Sequence, residues 1–468
     1  MPYYEIADFR AGIDLRKSSI TAPAGTLRTL NNAHVTQGGE VEKRGKFEQF
    51  ATLPSGTFGL MELNAVVYVV KPGVTSYTTS EGIYVQGFTM PSGKTASALS
   101  DWDLFNGKIY FVILGTDGSY YHFYDGAYVS GGKGKNIRTY KEKVYGVLGR
   151  VLYFSAVGDP TTWTDPPPVG GVVTHNGSGF INIGSNDADS EDLVSMEVYY
   201  DKLALFSKLN SQIWFLDPDP ALNTYSQTLR DAGVIAPNSV VQFVANDIYF
   251  LGNHGVRSLR ARDLSTTAAV SDVGSPVDNI FQDLLSAQGE AYMAQAQAIL
   301  SPRTGRFYLV LPDHIYVLSN YPSPQINAWA RYDTPTTLTN AVFADPYIYF
   351  RGVNGNVYRF GGTGAVQYDS SVVDVVLPYL AFDKPATMKN FSGIDVSCTG
   401  TWNVYVGLDP GNSAAEDLIA TITGPTYLGG RIPFAGRSTH IRLRFQNTSA
   451  IAGSLSKVFI HYSLSDVD

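Results

Sequence analysis

The sequence predicts a mainly β protein: a β-propeller of six or seven blades with one helical insertion, followed by a C-terminal β-sandwich-like domain. Three observations predict it. First, a strand signature recurs, an apolar residue, usually Tyr, then a second large apolar residue. It stands at Val67-Tyr68-Val69, Ile109-Tyr110-Phe111, Leu152-Tyr153-Phe154, Leu203-Ala204-Leu205, Ile248-Tyr249-Phe250, Phe307-Tyr308-Leu309 and Ile348-Tyr349-Phe350, with middle residues 41 to 59 positions apart. A period of roughly 40–50 residues made of short strands marks propeller blades, small sheets that bury their faces only against neighbours around an axis. The competing reading of this spacing is a pair of long sandwiches. Second, 30 Tyr and 24 Phe combined with 46 Gly and 24 Pro favour strands and tight turns over long helices. Third, the signature stops after Tyr358 and gives way to longer alternating strands.

Taken in order, residues 1–50 form an extended N-terminal segment suited to docking or blade closure. Within it, Lys43-Arg44-Gly45-Lys46 follows Glu40-Val41-Glu42, and the mixed signs suggest a solvated strand or turn. Residues 51–360 carry the propeller, with surface loops at Gly131-Gly132-Lys133-Gly134-Lys135 and Pro166-Pro167-Pro168-Val169-Gly170-Gly171. A helix is expected over 275–285: Ser275 as cap, Pro276 at the first helical position, and Val277, Ile280, Phe281, Leu284 and Leu285 on one apolar face. A shorter helical stretch over Glu290–Ala298 completes an insertion at about 275–300. Gly361-Gly362-Thr363-Gly364 is the linker to residues 361–468. There Ile394-Asp395-Val396, Trp402-Asn403-Val404-Tyr405-Val406, His440-Ile441-Arg442-Leu443-Arg444-Phe445 and Val458-Phe459-Ile460-His461-Tyr462 alternate with period two, as sandwich strands with one wet face do. This domain is either separate from the propeller or packed on it.

No constellation of residues points to catalysis. The seven histidines (His34, His122, His175, His254, His314, His440 and His461) show no metal-ligand spacing. The acidic run Ser185-Asn186-Asp187-Ala188-Asp189-Ser190-Glu191-Asp192 lacks the Gly and terminal Glu of an EF-hand loop and is expected to be a solvated loop. Asp217-Pro218-Asp219-Pro220 is a turn, and no carboxylate pair stands out for glycosidase chemistry. Neither a Gly-x-Ser-x-Gly elbow nor a phosphate-binding loop is present, so no cofactor is expected. The single Cys398 forms no internal disulfide. No signal peptide is visible at the start, and no stretch is apolar enough to predict membrane insertion. The formal charge of −8 argues against a basic surface that grips nucleic acid.

Three segments together carry a resemblance. The first is Leu27-Arg28-Thr29-Leu30-Asn31-Asn32-Ala33 with Gly39-Glu40-Val41-Glu42-Lys43-Arg44-Gly45. The second is Gly149-Arg150-Val151-Leu152-Tyr153-Phe154-Ser155-Ala156-Val157-Gly158-Asp159-Pro160-Thr161-Thr162-Trp163. The third is Leu205-Phe206-Ser207-Lys208-Leu209-Asn210-Ser211-Gln212-Ile213-Trp214-Phe215-Leu216, followed by Gly233-Val234-Ile235-Ala236-Pro237-Asn238-Ser239. In this order they resemble the nozzle proteins of short-tailed bacteriophages, the podoviruses. In that family the strand ends in Arg-Pro-Gly or a close variant; here Lys46 follows Arg44-Gly45 and the proline is absent. The resemblance implies a structural virion protein, not an enzyme, made in the host cytoplasm and carried at the tail tip. It implies a homohexameric ring below a head-to-tail adaptor, contacts with tail fibres or spikes and with a needle or plug, and transient contact with phage DNA in its channel. Gly158, Asp159, Pro160 and Trp163 are the expected blade-turn motif, and Arg44 and Gly45 the expected assembly contact. The competing readings are a sugar-binding or sugar-cleaving propeller protein, which would also explain the aromatic residues, and a receptor-binding fibre or adhesin, whose usual trimer-forming repeats the sequence does not show.

Overall fold

A computed structural model describes residues 3–164, 177–185, 191–243, 247–264, 272–323, 325–361, 367–427 and 429–464. Seven small sheets follow one another along the chain, and their first strands touch in sequence and close a ring. These innermost strands are Phe58–Leu63, Ala96–Phe105, Asn136–Tyr140, Ser195–Tyr199, Val241–Phe243, Gln297–Ser301 and Leu338–Ala344, which define blades 1 to 7. The fold is therefore a β-propeller. Blade 7 is completed by a strand from the start of the chain, Phe47–Thr52, paired antiparallel with Asn356–Phe360. That pairing closes the ring with hydrogen bonds between distant parts of the chain.

Hairpin turns set the register of the blades. Asn64-Ala65, Asn106-Gly107 and Lys141-Glu142 all have positive φ, the conformation of two-residue turns whose twist matches the strands they join. The second strand then begins, and its third residue is Tyr68, Tyr110, Tyr249, Tyr308 or Tyr349 in blades 1, 2, 5, 6 and 7, and Ala204 in blade 4. Blade 3 departs from the expectation. Its second strand is Lys143–Leu148, so Tyr145 takes the equivalent place, while Tyr153 lies on the third strand, Val151–Phe154. In blade 1 the third strand, Tyr84–Phe88, runs parallel to Val66–Pro72 instead of antiparallel.

The helical insertion is shorter than expected. A 3-10 turn, Ser275–Val277, leads into the α-helix Asp278–Gln288, and a last helical turn ends at Met293, so Ala298 belongs to the strand Gln297–Ser301. The cap positions are Gly274 for the 3-10 turn and Val277 for the α-helix, not Ser275, and neither makes a side-chain capping hydrogen bond. Instead Asp278 receives both guanidinium nitrogens of Arg257 at 2.7 and 2.9 Å, which ties the helix to blade 5. Phe281 is buried against Tyr316 and Trp329 of blade 6.

The C-terminal strands form two packed sheets, and both take strands from the N-terminal segment. One contains Lys389–Thr399 and Ser454–Leu464 with Tyr3–Ile6, Val41–Lys43 and Ala33–Val35. The other is continuous with blade 6. The strand Thr29–Asn31 pairs with Ile326–Asp333 on one side and with Val373–Val376 on the other, and Arg442–Asn447, Trp402–Gly407 and Asp417–Ile422 follow. One hydrophobic core runs from Val256 and Phe307 through Leu30 to Trp402 and Phe445. Propeller and sandwich share a sheet and a core, so the sandwich is neither separate nor merely packed on the propeller.

Candidate functional site in the axis of the propeller

The seven innermost strands surround a cavity of about 550 Å³ with a mixed polar and apolar lining. Alternation along Ala96–Phe105 puts Asp101 and Asp103 on the cavity side and Trp102 among the apolar residues between blades 1, 2 and 7. Asp101 Oδ2 accepts the Ile137 N–H at 2.8 Å, and Asp103 Oδ2 accepts the Thr139 N–H at 2.5 Å, so two carboxylates of blade 2 bind alternate amides of blade 3. Arg138, between those amides, donates to Asp101 at 3.2 Å and to Glu197 of blade 4 at 2.9 Å.

Three carboxylates thus surround one guanidinium. Burial pushes Asp103 up to about 6, against the pull of Arg138 and two backbone N–H groups. Burial raises Asp101 as well. Burial works against the charge on Arg138, but Glu197, Asp101 and Asp103 together hold its pKa above the usual value. Every oxygen of the three carboxylates already accepts an N–H: Asp101 also from Trp102, Asp103 from Leu104, and Glu197 from Val198. Such groups are arranged to hold strands together. Among the described residues no group of three or more His, Cys, Asp or Glu side chains is placed to hold a metal ion.

The blade-turn residues lie away from the axis. Gly158 has φ +71°, and the Asp159 carboxylate accepts from Thr161 N–H and from the hydroxyls of Thr161 and Thr162. Those hydroxyls hold the Asp159 pKa below its ordinary value. Trp163 donates its indole N–H to Pro160 O at 2.9 Å and meets His122 of blade 2 edge-on, 5.8 Å between ring centres. The ring is half-buried, less than a deep aromatic lock would be, because it covers the Tyr110 and Val129 cluster of blade 2 from outside.

Arg44 is buried, not solvated. It donates to Asn32 Oδ1 at 3.0 Å and to Asp369 at 3.0 Å, and stacks over Phe47 at 4.7 Å. Gly45 sits so close to Gly361 that an added Cβ would lie 2.8 Å from its Cα. Lys43 is also buried, with Nζ donating to the carbonyls of Ser371 and Ser449. The basic cluster therefore fastens parts of one chain to each other. Asp217 and Asp219 cap a turn, each accepting a backbone N–H. Burial holds His34 and His122 down to about 4. Of the acidic run, residues 186–190 lie outside the described residues, as do the loop 166–171 and linker positions 362–364. Among the described residues no helix is long and apolar enough to cross a membrane.

Sequence reasoning missed Asp101, Asp103, Arg138 and Glu197. The available signal was Asp101-Trp102-Asp103, two carboxylates on one face of a strand ahead of a blade signature.

No family model matches the chain, and neither does any curated protein. Solved structures that are similar in part include BamB from Moraxella catarrhalis, at 10% identity and TM-score 0.34, covering 70% of this chain and 84% of that one. The Pan2 WD40 domain of Neurospora crassa is similar at 11% identity and TM-score 0.37, covering 73% and 90%. The computationally designed Ika8 protein is similar at 10% identity and TM-score 0.34, covering 75% and 99%.

Proposed function

We propose that this chain is a structural virion protein, the nozzle ring that closes and later conducts the DNA ejection channel of a short bacteriophage tail. The observation that carries this reading is the ordered set of three family-like segments, above all Ser155–Trp163 with its Gly158-Asp159-Pro160 turn. A sheet running from blade 6 into the sandwich supports it, because a permanent part of a pressurised assembly gains from having no hinge between its halves.

The conduit in this reading lies between copies. An axial cavity of about 550 Å³ has the volume of a small-ligand pocket, not of a bore for a duplex. The ring is a homohexamer, with the adaptor above it, fibres or spikes on its flank and a needle or plug at its tip. The net charge of −8 per chain suits a wall that conducts DNA without gripping it, since phosphate binding by cations would release counterions and slow ejection.

Electron microscopy of the purified chain and of virions tests the proposal. Six-fold rings with a central channel are expected, and a protein that stays monomeric and is absent from virions overturns it. Filter binding near physiological salt should show weak DNA affinity with no sequence preference. Nanomolar affinity would instead indicate a DNA clamp.

A further inference from the structure

A second surface is independent of the axis and of the nozzle reading. On the sandwich sheet, the strand Ser454–Leu464 runs between Tyr3–Ile6 and Lys389–Thr399. Phe459 stands directly opposite Glu5 on one side and Asp395 on the other. Directly opposed residues share a face, as do residues two apart along a strand. Tyr3, Lys457 and His461 therefore join Phe459, Glu5 and Asp395 on the outward face, while Ile6, Val396, Val458 and Ile460 point into the core.

Two tyrosines stand over this face. Tyr3 and Tyr427 are each 5.5 Å from Phe459, inclined at 69° and 76° to its ring. Tyr3 comes from one neighbouring strand. Tyr427 is held over the other, because the Thr426 hydroxyl donates to Asp395 at 3.0 Å and its N–H to Val396 O at 3.0 Å. The result is an aromatic cradle, with Phe459 as floor and two steep walls that remain 57% and 46% exposed. Around it the charges are matched. Lys457 pairs with Glu5 at 3.3 Å, and Asp395 takes His461 at 2.8 Å and Arg431 at 3.2 Å.

Matched charge identifies the partner. A nucleic acid requires unpaired cations, and a basic peptide requires unpaired carboxylates. Among the described residues this face offers neither, but it offers aromatic rings beside donors, Lys457 and Arg431, and acceptors, Glu5 and Asp395. A neutral pyranose has that complement: C–H faces that lie on aromatic rings, whose faces are electron-rich, and hydroxyls that donate and accept at the rim. We propose that the Tyr3–Phe459–Tyr427 cradle binds neutral sugar units of a surface polysaccharide.

Affinity electrophoresis of the full chain tests this, using native gels containing dextran, glycogen or galactomannan, with alginate and a DNA duplex as charged comparisons. At least one neutral polymer is expected to retard the protein. Tyr427→Ala should weaken that retardation by about tenfold, Tyr3→Ala should weaken it less, and Tyr427→Phe should retain most of it, all with unchanged melting temperature and native mass. No retardation by any neutral polymer overturns the proposal, as does retardation by alginate or DNA alone. Equal retardation of native protein and Tyr427→Ala also overturns it. A change in native mass on Tyr427→Ala would make the cradle an interface between copies and overturn it too.

Discussion

At the seam between blades 6 and 7, the Gln297 amide accepts the Ala341 N–H at 2.9 Å and donates to Thr339 O at 2.8 Å. At the seam between blades 2 and 3, Asp101 and Asp103 accept the Ile137 and Thr139 N–H groups. Both devices use a side chain of one inner strand to bind the backbone of the next, as a further strand would. An amide has a donor and an acceptor and carries no charge, so the Gln297 seam is complete with two blades. Carboxylates only accept, and their charge in a buried setting requires a cation. Arg138 supplies it and in turn holds Glu197, so the charged seam couples blades 2, 3 and 4. The price is desolvation, which a neutral seam avoids.

Removing the cation should break the comparison most visibly. Arg138→Met leaves three partly buried carboxylates facing one another, and breaking such a buried cluster costs about 3–5 kcal/mol. Urea denaturation should show that loss with an unchanged m-value. A loss below about 1 kcal/mol would mean that water screens the cluster, and the two seams would then be energetically alike.

The same pair of blades is also held from outside by Trp163. Its ring is half-buried, so Trp163→Ala should cost roughly half of the ~3–5 kcal/mol typical of a fully buried aromatic. Its effect and that of Arg138→Met should add in the double variant if the two sites open independently, although both bear on Ile137. Strong coupling in a denaturation cycle would show that the seam opens as one unit. Gln297→Leu should cost less, about 1–2 kcal/mol, since it leaves one N–H and one C=O without their partner at a cavity wall that water can reach. Its cost should not change with salt, whereas that of Arg138→Met should.

The blades were legible because the Tyr follows a hairpin turn at a fixed offset, and the turn residues are themselves recognisable. Blade 3 misled because its second strand reads Val144-Tyr145-Gly146, with glycine where the signature has a large apolar residue, while its third strand carries the full pattern as Leu152-Tyr153-Phe154. Chain closure through Phe47–Thr52, and the sheet carried across by Thr29–Asn31, depend on pairing over some three hundred positions. No local period encodes that pairing. Asp101 and Asp103 alternate with Trp102 as the residues of any wet strand face do, and only the closed ring converts that face into a cavity wall. Arg44 looked solvated for a related reason: its partners, Asn32 and Asp369, are remote in sequence.

The finest distinction between the two seams lies in their response to pH. Asp103 has its pKa raised from 3.8 to about 6 in the folded chain, chiefly by burial. The folded protein thus binds this proton more tightly than the unfolded chain does. The resulting stabilisation is full below about pH 4 and is lost as pH rises through about 6. Asp103→Asn removes that titration, while its single amide oxygen can still accept the Thr139 N–H but not the Leu104 N–H as well. The variant therefore starts with a deficit at low pH, and that deficit should shrink as pH rises. The melting temperature of Asp103→Asn minus that of the native protein should climb between about pH 4 and 7 and then level off. Gln297→Leu, at the neutral seam, should give a flat difference over the same range. If the Asp103→Asn difference is also flat, or falls with rising pH, the carboxylate is already stably ionised in the folded ring, and Arg138 rather than burial decides its charge.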